Sequence, residues 1–295
     1  MNVANAKSSR PRVLTIAGSD SGGGAGIQAD LKTWQELEVF GMSAITAVTA
    51  QNSLGVQDVH AIPVPIITSQ LEAVLSDIGA DAVKTGMLHS AEAAAAAAAA
   101  MRKYKVEQLV LDPVLTAKNG HRLLAEEALQ ALKGELIPLA QVMTPNIPEA
   151  CVLLNIREEE IRTTNDMVDA ARCLLAIGSR WVLLKGGHLP QRTGGEEEAV
   201  DVLLASTPHA EPILLRSPRI PTRHTHGTGC TLAAAIAAYL ARGCSVPEAA
   251  GAAKLFTLRA IEQSFALGAG IGPLWHAAHR ASNDASNLHA APRPS

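Results

Sequence analysis

This chain has no excess of positive charge. Its 25 Lys and Arg stand against 28 Asp and Glu, for a formal net charge of −3, which leaves no basic footprint for nucleic acid. It also lacks an apolar run of bilayer length. The longest uniform stretch, residues 93–100, is too short and too weakly apolar to cross a membrane, and alanine, the best helix former, makes it a helix instead. The first ten residues are polar and contain no hydrophobic segment of the kind a secretory signal needs. Four cysteines (Cys151, Cys173, Cys230 and Cys244) in 295 residues are too few for a disulfide framework. Together these absences predict a reduced, soluble, cytoplasmic protein with no nucleic-acid or membrane partner. What is present is 47% hydrophobic residues, enough to bury a large core in one α/β domain.

Short β-rich runs alternate with alanine- and leucine-rich stretches, which predicts a mostly parallel central sheet with helices on both faces. The strands are expected over residues 13–17, 43–49, 82–84, 108–111, 142–144 and 181–185. An antiparallel pair is expected at 199–204 and 212–217. Helices are expected over 25–38, 67–76, 91–104, 125–133, 165–176, 228–241 and 247–262. Residues 191–198 read as an exposed polar loop. A single domain spans 11–280, with 1–10 and 281–295 expected to be disordered.

Two glycine clusters carry the chemistry. Thr225-His226-Gly227-Thr228-Gly229-Cys230 runs straight into an Ala/Leu-rich helix, so its glycines sit where free N–H groups and the helix dipole attract an anion. Cys230 falls in the first turn, where the same field favours thiolate. An anion cradle beside a deprotonatable group suits phosphoryl transfer to an alcohol. A plain glycine-rich cap on a buried helix, with Cys230 as a core residue, fits the same segment. The second cluster, residues 18–26, follows a predicted strand and precedes a predicted helix, the position where α/β sheets bind ligands. It does not match the dinucleotide fingerprint, because the sixth position counted from Gly22 is Ile27. The Gly-Lys-Ser/Thr ending of a phosphate loop is absent too.

Other chemistries fit less well. His224, His226 and Cys230 would splay at a helix start, and no second Cys/His pair has zinc-site spacing. Gly18-Ser19-Asp20-Ser21-Gly22 places Asp20, not a serine, at the centre of a hydrolase pentapeptide. An acyl-transferring Cys230 with His226 as base stays open, as do a nicotinamide oxidoreductase and a non-catalytic binding regulator. Gln51 reads equally as a turn cap, and Met87 as core filler. Lys185 closes an apolar strand, where a lysine without a counter-charge is costly, so a phosphate is its expected partner.

Gly18-Ser19-Asp20-Ser21-Gly22-Gly23-Gly24-Ala25-Gly26-Ile27-Gln28-Ala29-Asp30-Leu31-Lys32 closely resembles the N-terminal signature of the hydroxymethylpyrimidine/phosphomethylpyrimidine kinases. These are thiamine-biosynthesis enzymes of the ribokinase-like superfamily. Thr46-Ala47-Val48-Thr49-Ala50-Gln51-Asn52, Val83-Lys84-Thr85-Gly86-Met87-Leu88, Leu111-Asp112-Pro113-Val114 and Thr144-Pro145-Asn146-Ile147-Pro148-Glu149-Ala150 follow in the family's order. Leu184-Lys185-Gly186-Gly187-His188 and the Cys230 block complete the set, so the resemblance spans about residues 12 to 276.

The resemblance implies a three-layer sandwich, ATP and Mg²⁺ as phosphoryl donor and metal, and two successive phosphorylations. The first acts on 4-amino-5-hydroxymethyl-2-methylpyrimidine and the second on its monophosphate. It implies that Gly227, Thr228 and Gly229 hold the transferring phosphoryl, with Cys230 as base where most ribokinase-like enzymes carry aspartate. Asp112, Asn146 and Glu149 would hold the metal. Lys185, Thr228, Lys254 and Asp112 would line the nucleotide. Gln51 would meet the ring nitrogen and amine, with Asp30, Ala25, Met87 and Val114 completing the pocket. A homodimer is implied as well. Pyridoxal kinases share the scaffold but tend to lack the glutamine, and are the alternative reading.

Overall fold

The computed structural model describes residues 10–115, 126–187, 189 and 198–280. The expected disordered ends lie outside these residues except for Arg10, and so do His188 and most of the expected loop at 191–198. Among the described residues no helix is long and apolar enough to cross a membrane.

The first strand, β1 (Arg12–Ala17), leads through the glycine loop into α1 (Gly26–Glu36) and β2 (Phe40–Ile45). A hairpin follows, β3 (Ala47–Asn52) and β4 (Gly55–Ala61), and then α2 (Val64–Ala73), β5 (Ala82–Thr85) and α3 (Ala91–Lys103). Next come β6 (Leu109–Leu111), α4 (Glu126–Ala131), β7 (Val142–Met143), α5 (Ile147–Leu154) and α6 (Thr164–Leu175). The chain continues through β8 (Trp181–Leu184), β9 (Glu198–Ala205), β10 (Ile213–Pro218), α7 (Thr228–Ala241) and α8 (Val246–Glu262). The main sheet has the order β10-β9-β8-β7-β6-β5-β1-β2. It is parallel from β2 across to β8, and β9 and β10 are antiparallel additions at one edge.

The period of two along each strand sorts its side chains between two cores. Leu14, Ile16, Val83, Leu109, Leu111, Met143 and Val182 pack against α2 to α6. Val13, Ala82, Val110, Val142 and Leu183 face α1, α7 and α8, where Trp34 and Phe256 are the bulkiest partners. Helix α7 is buried nearly all round, with alanines at 233–235, 237 and 238 fully enclosed. Such small side chains let it lie close to the sheet and to two helices at once. The result is the expected three-layer α/β/α sandwich.

Two sequence expectations are corrected. The single strand expected over 43–49 is two strands, broken at Thr46, whose N–H donates to Ala17 O at 3.0 Å and whose hydroxyl donates to the Met87 carbonyl at 2.6 Å. Beyond the break, β3 leaves the main sheet and pairs only with β4. Helix α5 was not expected. Its start is a capping box in which Asn146 Oδ1 accepts from Glu149 N and Glu149 Oε2 accepts from Asn146 N, both at 2.8 Å.

Candidate active site

On the face toward α1 and α7, the residue two places beyond each apolar strand position is polar. Thr15, Lys84, Asp112, Thr144 and Lys185 follow Val13, Ala82, Val110, Val142 and Leu183 in turn. All but Lys185 are essentially buried, and buried polar groups need partners. The partners form two connected clusters.

In the first cluster, Lys84 Nζ lies 2.9 Å from both oxygens of Asp30 on α1, and Thr15 Oγ1 donates to Asp30 Oδ2 at 2.7 Å. Both charged side chains are fully enclosed. Burial is the largest single effect on the Lys84 ammonium and works against it. The charge and hydrogen bonds of Asp30, joined by the charges of Cys230 and Asp112, together outweigh it and hold the lysine above its ordinary range. Asp30 is therefore the counter-charge of Lys84. It was expected among the ring contacts, and the structure places its enclosed carboxylate against Lys84 and Thr15.

The second cluster centres on Lys185, which donates to Asp112 Oδ1 at 3.0 Å and lies 3.9 Å from Glu149 Oε2. Thr144 Oγ1 donates to the same Asp112 oxygen at 2.9 Å. The lysine's partner here is thus a pair of carboxylates, where a phosphate was expected. Burial raises the Asp112 pKa, but Lys185 and Lys84 outweigh it and bring the group below its ordinary value. For Glu149, burial aided by Asp112 wins over Lys185 and pushes the carboxyl up to about 7. One ammonium does not satisfy two buried carboxylates.

The N-terminus of α7 closes over this second cluster. A side chain on Gly229 would sit 3.2 Å from Lys185 Nζ and 3.7 Å from Asp112 Oδ2. Gly227, at φ +86°, caps the helix, and a Cβ there would overlap the Gly24 carbonyl of the N-terminal glycine loop. The first-turn N–H groups of Gly229 and Cys230 have no acceptor within the helix. Cys230 faces the first cluster. Burial pushes its thiol above the ordinary range, and the charge of Lys84 opposes this without overcoming it. The field at the helix start was expected to favour thiolate; desolvation of the thiolate is the largest effect on Cys230 and acts the other way.

Gln51 lies at an irregularity in the β3–β4 register, between Ala50 and Gln51, the kind of feature that re-aims a side chain. Its amide Nε2 is 3.2 Å from His226 Nε2, and the same imidazole nitrogen is 2.8 Å from Asp20 Oδ2. Asp20 also accepts from Gly22 N, Gly24 N and Ala25 N. Burial favours its neutral form, but the bond from His226 and these backbone donors prevail and keep it ionised. Met87 packs against Gly18, where a Cβ would come within 2.5 Å of its Cε. Ala25, Met87 and Val114 are all half-buried. Lys254 donates to Asp201 Oδ2 at 2.7 Å, and Asp201 Oδ1 accepts from Gly186 N at 2.9 Å, which ties α8 to the residue after Lys185.

Lys84, Asp20 and His226 were quoted in the sequence motifs without a role in this site. Lys84 could have been found by the reasoning applied to Lys185, since it is an ionisable residue inside an apolar strand. Among the described residues no group of three or more His, Cys, Asp and Glu is placed to chelate a metal ion.

Comparison with known proteins shows the family and the fold. The family model described as phosphomethylpyrimidine kinase matches residues 20–275. A hydroxymethylpyrimidine/phosphomethylpyrimidine kinase of Streptomyces coelicolor is 50% identical over 90% of this chain and 94% of its own length. An ADP complex of pyridoxal kinase from Bacillus subtilis superposes with a TM-score of 0.83 at 42% identity, covering 92% of this chain and 100% of that one. A phosphomethylpyrimidine kinase structure from Clostridium difficile gives a TM-score of 0.73 at 42% identity over 85% and 100% of the two chains. With the family model running from inside the first glycine loop through the second, the chain belongs to the phosphomethylpyrimidine kinase family.

Proposed function

We propose that this kinase transfers a phosphoryl group from ATP to the hydroxymethyl group of 4-amino-5-hydroxymethyl-2-methylpyrimidine, and then to the resulting monophosphate, in thiamine biosynthesis. The observation that carries the choice of ring is Gln51, whose amide lies 3.2 Å from His226 Nε2 beside the α7 anion loop. A carboxamide offers one acceptor and two donors, a match for an aminopyrimidine edge. Ala25, Met87 and Val114 would form the apolar walls of that pocket.

In the transfer, the substrate oxygen forms its bond to the γ-phosphorus as the bond from that phosphorus to the β–γ bridging oxygen breaks, and ADP leaves. Such a step depends mainly on positioning and charge stabilisation. The backbone N–H groups of Gly227, Thr228 and Gly229 at the head of α7 would receive the developing charge. Lys185 and Lys254 would line the nucleotide, with Thr228. Cys230 would take the hydroxyl proton when its thiol is ionised, and Lys84 is the charge that favours this.

The donor set fits Mg²⁺, a hard cation that binds through few carboxylates and keeps its waters. The carboxylate of Glu149, pushed up to about 7 beside Asp112, marks a local deficit of positive charge. Asp112 and Glu149, with Asn146 at the head of α5, would hold the ion directly or through water. When bound, it would neutralise phosphate charge. The assembly we propose is a homodimer, supported by the exposed Val48 and Leu54 on the hairpin. Light scattering after size exclusion checks this.

Coupled ADP release, measured in parallel with the pyrimidine, its monophosphate and pyridoxal, tests the function. We expect both pyrimidines to be turned over well ahead of pyridoxal. A pyridoxal kcat/KM above that for the pyrimidine would transfer the assignment to pyridoxal kinase.

A further inference from the structure

The β3–β4 hairpin that carries Gln51 stands apart from the main sheet. A two-stranded ribbon alone is at best marginally stable in water, so something must fix the place of Gln51. One side is held from the N-terminal loop, where Ser21 Oγ donates to Gln51 O and accepts from Gln51 N, both at 2.8 Å. The tip is held from the far end of the chain. After α8, residues 265–276 run as an irregular strap across the hairpin tip and then along the loop before α7. Ile271 N donates to Ser53 O at 2.9 Å, and Gly270 N donates to Ser53 Oγ at 3.1 Å. One residue further on, Gly272 N donates to His224 Nδ1 at 3.0 Å, and Gly272 O accepts from His226 N at 3.1 Å.

The strap is built for this closeness. A Cβ on Gly268 would overlap Ser53 Oγ, one on Gly270 would overlap the Ser53 carbonyl, and one on Gly272 would overlap the Phe265 carbonyl. Gly268 also has φ +69°. The strap's far end is anchored where His276 Nε2 meets Thr231 Oγ1 on α7 at 2.9 Å, both side chains buried. It is braced where Phe265 and Trp275 stack edge to face. One segment therefore grips Ser53, two residues after Gln51, and also grips His226, whose ring contacts the Gln51 amide.

We infer that the strap, through Ser53 and His226, positions Gln51 and so sets selectivity for the ring of the phosphoryl acceptor. Ser53 and Gly270 are positioning residues that touch no reacting atom. The inference rests on Gln51 meeting the acceptor ring, as proposed above.

Gly270→Ala forces strap and hairpin apart, and Ser53→Ala removes one bond between them with no added bulk. Each is made in the parent and in a Gln51→Met background. KM values for the acceptor and for ATP are measured along with thermal midpoints. We expect Gly270→Ala to raise the acceptor KM about tenfold and Ser53→Ala about threefold, in line with the loss of one or two positioned hydrogen bonds. The ATP KM should stay within about twofold in both. In the Gln51→Met background each change should move the acceptor KM less than about twofold, because residues acting through one contact are not additive. The inference is overturned by an unchanged acceptor KM, by equal rises in both backgrounds, or by parallel rises for acceptor and ATP. Should Gly270→Ala not fold, Ser53→Ala decides by the same criteria. Acceptor kinetics are read on whichever of the pyrimidine and pyridoxal the parent prefers, so a wrong ring assignment is seen in the parent before any variant is compared.

Discussion

Lys185 donates to Asp112 Oδ1 across 3.0 Å, although the two residues lie 73 positions apart in the chain. The pair leaves Glu149, 3.9 Å from the same ammonium, as a second buried carboxyl without a full partner. The Glu149 carboxyl is pushed up to about 7 by burial, so it is neutral below that pH and charged above it. Its affinity for a cation should therefore fall as pH drops through 7.

We expect the Mg²⁺ concentration for half-maximal activity to rise as pH falls from 8 to 6. In Glu149→Gln it should be about 10- to 100-fold higher at pH 8 and flatter with pH. Replacing a buried, underpaired charge with an amide should leave the metal-free thermal midpoint at pH 8 no lower than the parent's. The sign follows from the raised folded-state value: the charged form is the costly one, and that cost is present above pH 7. A magnesium titration that superimposes on the parent's at every pH would remove Glu149 from the site.

The alternation of the α/β sandwich was legible because apolar strands such as 82–84 and 142–144 sit between alanine-rich helices. The two glycine loops were legible because their close approach leaves no room for side chains, as at Gly227 against Gly24. The hairpin was not legible. Strand β4 exposes Gln57, Asp58, His60 and Ala61, so it shows no clean alternation of apolar and polar residues. Helix α5 was hidden by a double meaning, since Asn-x-x-Glu before an apolar run is a helix start as well as a set of oxygen ligands. The pairings Asp30–Lys84 and Asp20–His226 span 54 and 206 positions. Nothing local in a sequence reports contacts of that range.

The Asp30–Lys84 pair makes its own test. Removing one partner of an enclosed ion pair strands the other charge, which typically costs about 3–5 kcal/mol, whereas replacing both with apolar groups is often neutral. Lys84→Met should therefore lower stability in denaturant titrations by roughly that amount, and the double change Lys84→Met with Asp30→Leu should recover most of it. Should Asp30→Asn raise the acceptor KM while stability stays unchanged, Asp30 would belong to the substrate pocket, as the sequence motif led us to expect.

Gln51→Met should weaken acceptor use far more than ATP use. Losing a polar match to a ring amine leaves buried groups unpaired, an effect of about 1–3 kcal/mol, which is roughly 5- to 150-fold in kcat/KM at 1.4 kcal/mol per tenfold. Pyridoxal turnover should survive or improve. Pyrimidine kinetics that match the parent's would take the glutamine off the ring.

Cys230 separates three chemical roles. As a base, its thiolate is the active form, and burial raises the thiol's pKa despite Lys84. The rate should then climb with pH through the alkaline range, because each step upward ionises more of the thiol. Cys230→Ala should lower kcat by about 10²- to 10⁴-fold and flatten that climb, with the ATP KM little changed. Cys230→Asp should be partly active and nearly flat above pH 7, since a carboxylate is already ionised there. As a packing residue, Cys230→Ala would instead lower the thermal midpoint and leave turnover and its pH profile intact. As an acyl-transferring nucleophile, Cys230 would form a covalent substrate adduct visible by mass spectrometry, which in-line transfer to an alcohol does not require. An alanine variant with parental kcat, pH profile and stability would leave the chemistry to the backbone donors of α7 and to the phosphate, which would accept the hydroxyl proton late.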